Sequence, residues 1–120
     1  MAFLDRMAAQ WHSGEARFTK AGEILLGAFE GEKLVGVCGL TIDPYVESPG
    51  VGRLRHLFVG KAGRRQGVGS ALVREILAHA AGHFAIVRLR TDADIRGAFY
   101  ASFGFRPIND PNATHQLRIS

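Results

Sequence analysis

The sequence predicts an α/β fold, a mixed sheet whose central strands are connected through helices. Two apolar runs of strand length flank a glycine-containing turn at residues 30–33, which is typical of a β-hairpin. Over residues 52–103, segments with the alternation of strands are then interleaved with segments of helical period. A chain of 120 residues suits one domain with a single core, residues 1–120.

The first half of the chain contributes a predicted helix and the hairpin. Residues 3–12 carry apolar side chains at helical spacing and are predicted to form a helix. The apolar runs that follow place Gly31 in the hairpin turn, and their continuity indicates strands covered on both faces. Pro44 and Pro49 then exclude a central strand and predict a loop.

The second half begins with the predicted central strand, residues 52–59, in which Leu54, His56 and Phe58 share one face. A helix is predicted from Val68 to about Ala80, with a buried apolar stripe. The remaining predicted elements are a strand within 83–91, a short helix within 94–103 that stops at Gly104, and two short final strands.

Composition limits the classes of partner. The net charge of +4 fits either a polyanionic partner or a site for a phosphorylated small molecule. Cations cluster among glycines instead of along a helix face, which favours a local anion site: Arg53, Arg55, Lys61, Arg64 and Arg65. Binding of nucleic acid is not expected, because the chain lacks an aromatic-studded sheet motif and a basic recognition helix. No metal site is predicted.

The single cysteine, Cys38, has no partner for an internal disulfide, which fits a reducing cytoplasm. No apolar run reaches the length of a membrane span, and the N-terminus lacks the apolar core of a signal peptide. A cytoplasmic protein without a membrane partner is therefore expected.

The segment "RRQGVGS", residues 64–70, fits three kinds of phosphate-binding turn to different degrees. A P-loop needs lysine before its serine, and Gly69 stands there. A dinucleotide-binding turn needs a third glycine, and Leu72 stands there as part of the helical stripe. The third interpretation is a pyrophosphate-binding cradle at the start of a helix. The alternative without a ligand is that the glycines only permit a tight strand-to-helix turn.

The physics of the segment fits the cradle. Backbone N–H groups around Gly67 and Gly69 can point into one concavity, and the start of the helix adds partial positive charge. Arg64 and Arg65 supply forked donors for phosphate oxygens, and Ser70 can add a hydroxyl group.

This arrangement resembles the acetyl-CoA pyrophosphate loop of the GNAT N-acetyltransferase superfamily, Gln/Arg-x-x-Gly-x-Gly/Ala. The segment "AFYASFGF", residues 98–105, is similar to the family's second conserved segment, in which a Leu/Phe-Tyr pair precedes x-x-x-Gly-Phe. The resemblance is specific over residues 52–105 and extends as a pattern over the hairpin and the last strands. It implies a GNAT-like fold, with a mixed, mostly antiparallel central sheet flanked by helices and a shortened N-terminal part.

The resemblance implies that acetyl-CoA is the co-substrate, that no metal is needed, and that an amine is the acceptor. The pantetheine arm would lie where the central strand separates from the next parallel strand and pair with Leu57, Phe58 and Val59, and the Val59 N–H is a candidate oxyanion donor. The pyrophosphate would lie on the cradle, formed by Arg64, Arg65, Gln66, Gly67, Val68, Gly69 and Ser70.

Two catalytic residues are implied. Tyr100 matches the family tyrosine proposed to protonate the departing CoA thiolate; the alternative is a core tyrosine between Phe99 and Phe103. The family often uses a glutamate on the central strand as base. This strand has none, so His56 is the first candidate, against the alternative of a satisfied core histidine. His115 and Glu47 are further candidates for the base.

Two departures from the family accompany the resemblance. Ala93 occupies the position where members often carry a pantetheine-binding asparagine, and Asp92 or Asp94 could substitute. The predicted N-terminal part is also short, so the start could lie upstream, a partner subunit could complete the site, or the acceptor site could be open. A homodimer would cover the hairpin edge that a missing first strand leaves.

The leading function is therefore acetyl transfer from acetyl-CoA to an amine of a small molecule or a protein. The alternative is a CoA-binding regulatory or structural domain with weak or no catalysis.

Overall fold

A computed structural model of the chain describes residues 4–7, 20–63 and 67–119, and for residues 4–7 it describes the backbone alone. The elements are β1 Leu4–Met7, β2 Ile24–Glu30, β3 Lys33–Ile42, β4 Val51–Val59, α1 Val68–Ala80, β5 Ile86–Leu89, α2 Ala93–Ala101, β6 Arg106–Asp110 and β7 Ala113–Arg118. A turn of 3₁₀ helix, Lys61–Gly63, follows β4. No helix in the described ranges has the length and apolar character needed to cross a membrane.

The strands form one sheet in the order β1-β2-β3-β4-β5-β7-β6. Strand β4 runs parallel to β5, and every other neighbouring pair is antiparallel. The parallel pair is connected through α1, as expected for a crossover. The predicted fold class, a mixed and mostly antiparallel sheet with helices, is confirmed.

The N-terminal helix predicted over residues 3–12 is wrong where the structure describes it. Residues 4–7 form β1, whose Leu4 lies opposite Ala28 and whose Met7 lies opposite Leu25. Edge strand β2 offers unpaired backbone groups to this segment, and that tertiary pairing outweighs the helical spacing of a few apolar residues. Because β1 covers the edge of the hairpin, the argument for a homodimer that would shield this edge no longer holds.

Helix α1 packs across β2, β3 and β4 and forms most of the core with them. Its buried residues follow the predicted stripe: Val68, Leu72, Val73, Ile76 and Ala80. Gly36 on β3 allows this approach, because a Cβ there would lie 3.0 Å from Val68 Cγ1 and 3.1 Å from Leu72 Cδ1. Cys38, two residues further along β3, is fully buried under the same helix face.

Helix α2 has defined ends. The Asp92 carboxylate accepts a hydrogen bond from the Asp94 N–H at 3.1 Å and so caps the N-terminus. After the C-terminal turn, Gly104 adopts φ +97°, a left-handed conformation that glycine takes at no steric cost. The chain then enters β6 with Phe105 buried in the core.

Candidate functional site

The site begins where β4 and β5 separate. Their parallel pairing covers Val51–Arg53 against Ile86–Arg88 in the part of the chain that the structure describes. Strand β5 ends at Leu89, whereas β4 continues to Val59 beside β3. We call the point after Arg53 and Arg88 the fork, because beyond it a gap opens along one edge of β4.

A β-bulge divides β4 just beyond the fork. Gly39 lies opposite Arg55 and Val37 lies opposite Phe58, so β4 contains one more residue than β3 across this interval. His56 has φ +59°, the one positive φ among the described non-glycine residues. The bulge is therefore centred at His56.

The bulge reverses which side chains face the core. Leu57 and Val59 pack against the core cluster below α1, as does Leu54, whereas Phe58 is 62% exposed on the opposite face. The predicted common face of Leu54, His56 and Phe58 is therefore wrong. Simple alternation assigns faces correctly only until an extra residue is inserted, and the inserted residue shifts all later residues to the other face.

The fork leads into a cleft of about 740 Å³. The end of β4, the start of α1 and one side of α2 form its walls. The lining residues are Leu57, Phe58, Val59, Gly63, Gly67, Val68, Gly69, Ser70, Arg96 and Phe99. The predicted pantetheine-pairing residues and the described part of the predicted pyrophosphate cradle thus meet in one cavity.

The start of α1 presents its positive end to the cleft, and no described side chain caps it. Its N-cap is Gly67 at φ +74°, which has no side chain to bond the first-turn N–H groups. The first intrahelical bond runs from the Ala71 N–H to the Gly67 carbonyl, and the first turn contains no acidic residue. Backbone donors of residues 68–70 are consequently suited to an anion. Arg64, Arg65 and Gln66, which precede this turn, lie outside the described residues.

Helix α2 contributes two cleft residues that the sequence did not single out, Arg96 and Phe99. Phe99 closes the wall against α1, because its Cζ lies 3.7 Å from where a Cβ on Gly69 would stand. Arg96 is exposed and places a cation across the cleft from the start of α1. Their three-residue spacing puts them on one face of α2, and this was the available signal.

Tyr100 lies in the core and does not line the cleft. It is 4% exposed and makes edge-to-face contacts with Phe99 and Phe105, with ring centroids 5.1 and 5.8 Å apart. Burial raises its pKa to about 12, with a further increase from Cys38 and an opposing effect of Arg96. This packing matches the core-tyrosine alternative in kind, with Phe105 as a ring partner in place of Phe103.

The candidates for the base occupy different environments. His56 is exposed at the bulge and does not line the cleft, so the alternative of a core histidine is wrong. His115 is 2% exposed on β7, with Nδ1 2.9 Å from Thr114 Oγ1. Glu47 is exposed in the loop before β4.

Asp92 and Asp94 are the two substitutes for the pantetheine-binding asparagine that Ala93 replaces. The carboxylate of Asp92 is already engaged as the N-cap of α2. Within the described ranges, no cluster of three or more His, Cys, Asp or Glu side chains could hold a metal ion.

Comparison with known proteins gives a consistent result. The sequence profile of the acetyltransferase (GNAT) family matches residues 3–105. No curated protein matches the chain. Solved structures do, and those below 25% identity bear on the fold alone.

A candidate acetyltransferase from Exiguobacterium sp. 255-15 superposes with a TM-score of 0.76 at 24% identity, over 84% of this chain and 66% of that one. A GNAT-family acetyltransferase from Streptococcus pneumoniae gives 0.71 at 21% identity, over 85% and 70%. Rv2747 from Mycobacterium tuberculosis, solved in complex with CoA and NLQ, gives 0.60 at 26% identity, over 71% and 49%. The chain therefore spans between about half and about 70% of the length of these structures.

Proposed function

The chain belongs to the GNAT acetyltransferase family, and on this premise we propose that it transfers an acetyl group from acetyl-CoA to an amine of a small molecule or a protein. The observation that carries the proposal is the cleft at the fork. There, the end of β4 and the uncapped start of α1 face one cavity. The CoA bound to the structural relative Rv2747 supports the choice of donor.

The pyrophosphate and the pantetheine arm of acetyl-CoA each have a suitable wall in this cleft. The pyrophosphate would accept hydrogen bonds from the backbone of Gly67, Val68 and Gly69, and Ser70 and Arg96 would add donors. The amide groups of pantetheine would pair with the backbone of β4 over residues 57–59, as another strand would. Arg64, Arg65 and Gln66, which directly precede Gly67 in the sequence, are proposed to complete the phosphate site.

The reaction is a direct transfer within a ternary complex. The neutral amine attacks the thioester carbonyl carbon, a C–N bond forms, the C–S bond breaks, and CoA leaves as a thiolate. The Val59 N–H is the candidate donor to the carbonyl oxygen as it gains negative charge. The amine gives up one proton and the thiolate takes up one, so the protein needs one base and one acid in addition to correct positioning.

We propose Tyr100 as the acid. A phenol with a pKa of about 12 carries its proton at neutral pH and can give it to a thiolate that is departing nearby. Its neighbour Phe99 lines the cleft, so Tyr100 lies directly behind the cleft wall. Tyr100→Phe keeps the ring packing and removes the hydroxyl, so turnover should fall while acetyl-CoA affinity stays constant. Unchanged turnover under conditions where chemistry limits the rate would exclude the role.

We propose His56 as the base, because imidazole is the side chain suited to proton transfer near neutral pH and His56 is exposed at the bulge of β4, just before the cleft-lining residues. His56→Gln should remove the limb of the pH–rate profile that rises with pH. His83→Gln is the matched control, since His83 is exposed after α1, away from the cleft. If the rising limb of the pH–rate profile is unchanged in His56→Gln, His56 is not the base, and Glu47 or a water molecule would be the next candidate.

Two measurements separate the proposed enzyme from the alternative, a CoA-binding regulatory or structural domain. Titration calorimetry with acetyl-CoA tests the donor site, and release of CoA thiol in the presence of a panel of amines tests transfer. Binding together with amine-dependent thiol release supports the enzyme. Binding without release supports the alternative, and absence of binding contradicts both.

A further inference from the structure

Three arginines lie together on the sheet face that points away from α1. Arg53 and Arg88 are register partners across the β4–β5 pair, at the fork. Arg55 is two residues along β4, before the bulge, and therefore shares the face of Arg53. Leu54, between them, faces the core. We call Arg53, Arg55 and Arg88 the arginine cluster.

Two residues of the cluster are buried, the third is partly buried, and their charge is only partly neutralised among the described residues. Arg53 and Arg88 are each 7% exposed, and Asp43, the residue after β3, is 1% exposed. Asp43 Oδ2 lies 3.7 Å from Arg53 Nη1 and 3.9 Å from Arg88 Nη1, while Asp110 Oδ2 lies 2.8 Å from Arg88 Nη2. Among the described residues, two carboxylates pair with Arg53 and Arg88 and none with Arg55, so the three guanidinium groups leave an excess of one positive charge there.

Several donors of the cluster are unused within the described ranges. Arg53 Nη1, Arg55 Nε and Arg88 Nε are buried and have no hydrogen-bond partner. The acceptor Asp43 Oδ2 also has none, since its ion-pair partner Arg53 Nη1 lies 3.7 Å away, beyond hydrogen-bond distance. Arg53 does donate through Nη2 to the Asn112 carbonyl at 2.8 Å, and its guanidinium lies 4.9 Å from the centre of the Tyr45 ring. Burial, the largest cause, lowers the pKa of Arg53; Asp43 and Tyr45 raise it, and Arg55 and Arg88 lower it. Unused donors and excess charge together favour an additional anion.

The cluster adjoins the cleft on the side opposite α1. Phe58 lines the cleft and lies on the same sheet face as Arg55, because their β3 partners, Val37 and Gly39, are two residues apart. Two residues of strand span about 7 Å. An anion at Arg55 would thus be a few bonds from an amine placed in the cleft beside Phe58. The start of α1, where the CoA phosphates are proposed to bind, faces the cleft from the other sheet face.

We propose that the arginine cluster binds the anionic group of the acceptor, so that the substrate is an amine that also carries a carboxylate or phosphate. This inference rests on the proposed acetyl transfer. Forked donors match the two oxygens of such a group, and Arg55, the least buried of the three, would meet it first.

The test uses paired acceptors and one matched control variant. Thiol release from acetyl-CoA is measured with amino acids and their carboxamides, and with phosphoethanolamine and ethanolamine. Thermal stabilisation by N-acetyl amino acids and by their carboxamides is measured in parallel, as a reading of anion binding without turnover. The variants are Arg55→Gln, Arg55→Lys and the control Arg74→Gln, which alters an exposed arginine of α1.

The anionic acceptor of each pair should be preferred in kcat/KM by about tenfold to a hundredfold, the value of a charge-assisted hydrogen bond. Arg55→Gln should abolish the preference, Arg55→Lys should keep part of it, and Arg74→Gln should keep all of it. The pairs also show which oxyanion, carboxylate or phosphate, is bound.

Transfer to charged and neutral amines alike, without stabilisation by anions, would overturn the inference and leave acetyl transfer standing. Stabilisation by anions that depends on Arg55, without transfer to any amine, would support the anion site and contradict acetyl transfer.

Discussion

The two halves of β4 serve different purposes although they belong to one strand. Residues 51–53 pair with β5, Gly52 and Arg53 also pair with β3 on the other side, and all three are buried. Residues 57–59 have β3 as their paired strand, line the cleft and include Phe58 at 62% exposure. The bulge at His56 separates the halves.

A small domain can thus expose the edge of a strand that is stably held elsewhere along its length. The first half anchors β4 by burial and two ladders of hydrogen bonds, so the second half can leave one backbone edge facing the cleft, where we propose that acetyl-CoA binds. Stability and binding should therefore be separable by substitution along the strand.

The largest effect is expected from a matched pair of truncations. Leu54→Ala removes a side chain that is 4% exposed in the core and should lower the free energy of unfolding by about 2–5 kcal/mol. Phe58→Ala, in the cleft half, should change it by about 0.5 kcal/mol or less, yet reduce transfer. Urea unfolding and thiol release measure the two effects. Equal loss of stability in both variants would contradict the division of β4.

The next effect concerns pH and the core beside the bulge, where Cys38 lies on β3. The pKa values of Cys38 and Tyr100 rise to about 12 in the folded chain, from ordinary values of 9.0 and 10.0, mainly through burial. The unfolded chain therefore loses these protons first. The contribution of these two groups to the free energy of unfolding should be fully present below pH 9. It should fall by about 1.4 kcal/mol per pH unit for each group between that group's ordinary pKa and its pKa in the folded chain.

Urea unfolding at pH 8 to 11 checks this dependence. Tyr100→Phe should flatten the decline above pH 10, and Cys38→Ala should flatten it from pH 9, whatever each substitution does to stability at pH 8. Slopes identical to the wild type in both variants would show that neither group carries the dependence.

A smaller effect is expected at the start of α1, which the cleft half of β4 faces. Gly67→Ala places a Cβ at φ +74° and should cost about 1–2 kcal/mol of stability while weakening acetyl-CoA binding. Gly69→Ala is the control for stability, because its Cβ would meet Val59 and Phe99 at 3.5 and 3.7 Å, ordinary contact distances. Wild-type acetyl-CoA affinity in Gly67→Ala would remove this turn from the proposed phosphate site.

The smallest effect is expected at Arg96, an exposed cation at the cleft. Arg96→Ala should weaken acetyl-CoA binding by about 0.2–1 kcal/mol, and the difference should shrink at high salt. Arg74→Ala, an equal loss of charge on α1, should leave affinity unchanged. Calorimetry at two ionic strengths decides between a local contact and a general effect of net charge.

Local patterns allowed much of the fold to be predicted from the sequence. Helix α1 begins and ends where its apolar stripe predicts, and Gly31 in the hairpin turn has the positive φ that glycine favours. Both features depend on residues close together in the chain, so composition and period are sufficient.

The errors and omissions concern pairing between distant segments. Strand β1 exists because β2 offers an edge, and the bulge at His56 is visible only in the register against β3. Likewise, Arg96 lines the cleft because α2 lies close to α1. Arg53 belongs to the arginine cluster because it pairs with Arg88 on β5. The spacing of apolar residues along the sequence carries no information about contacts between distant segments.

The burial of Cys38 has a practical consequence at the bench. It is the one thiol of the chain, it is fully buried, and its raised pKa keeps it in the unreactive protonated form. A thiol-reactive dye used to follow CoA should therefore see no background from intact protein. Any stoichiometric signal recorded before substrate is added would report molecules that have lost their fold, so each assay carries its own quality control.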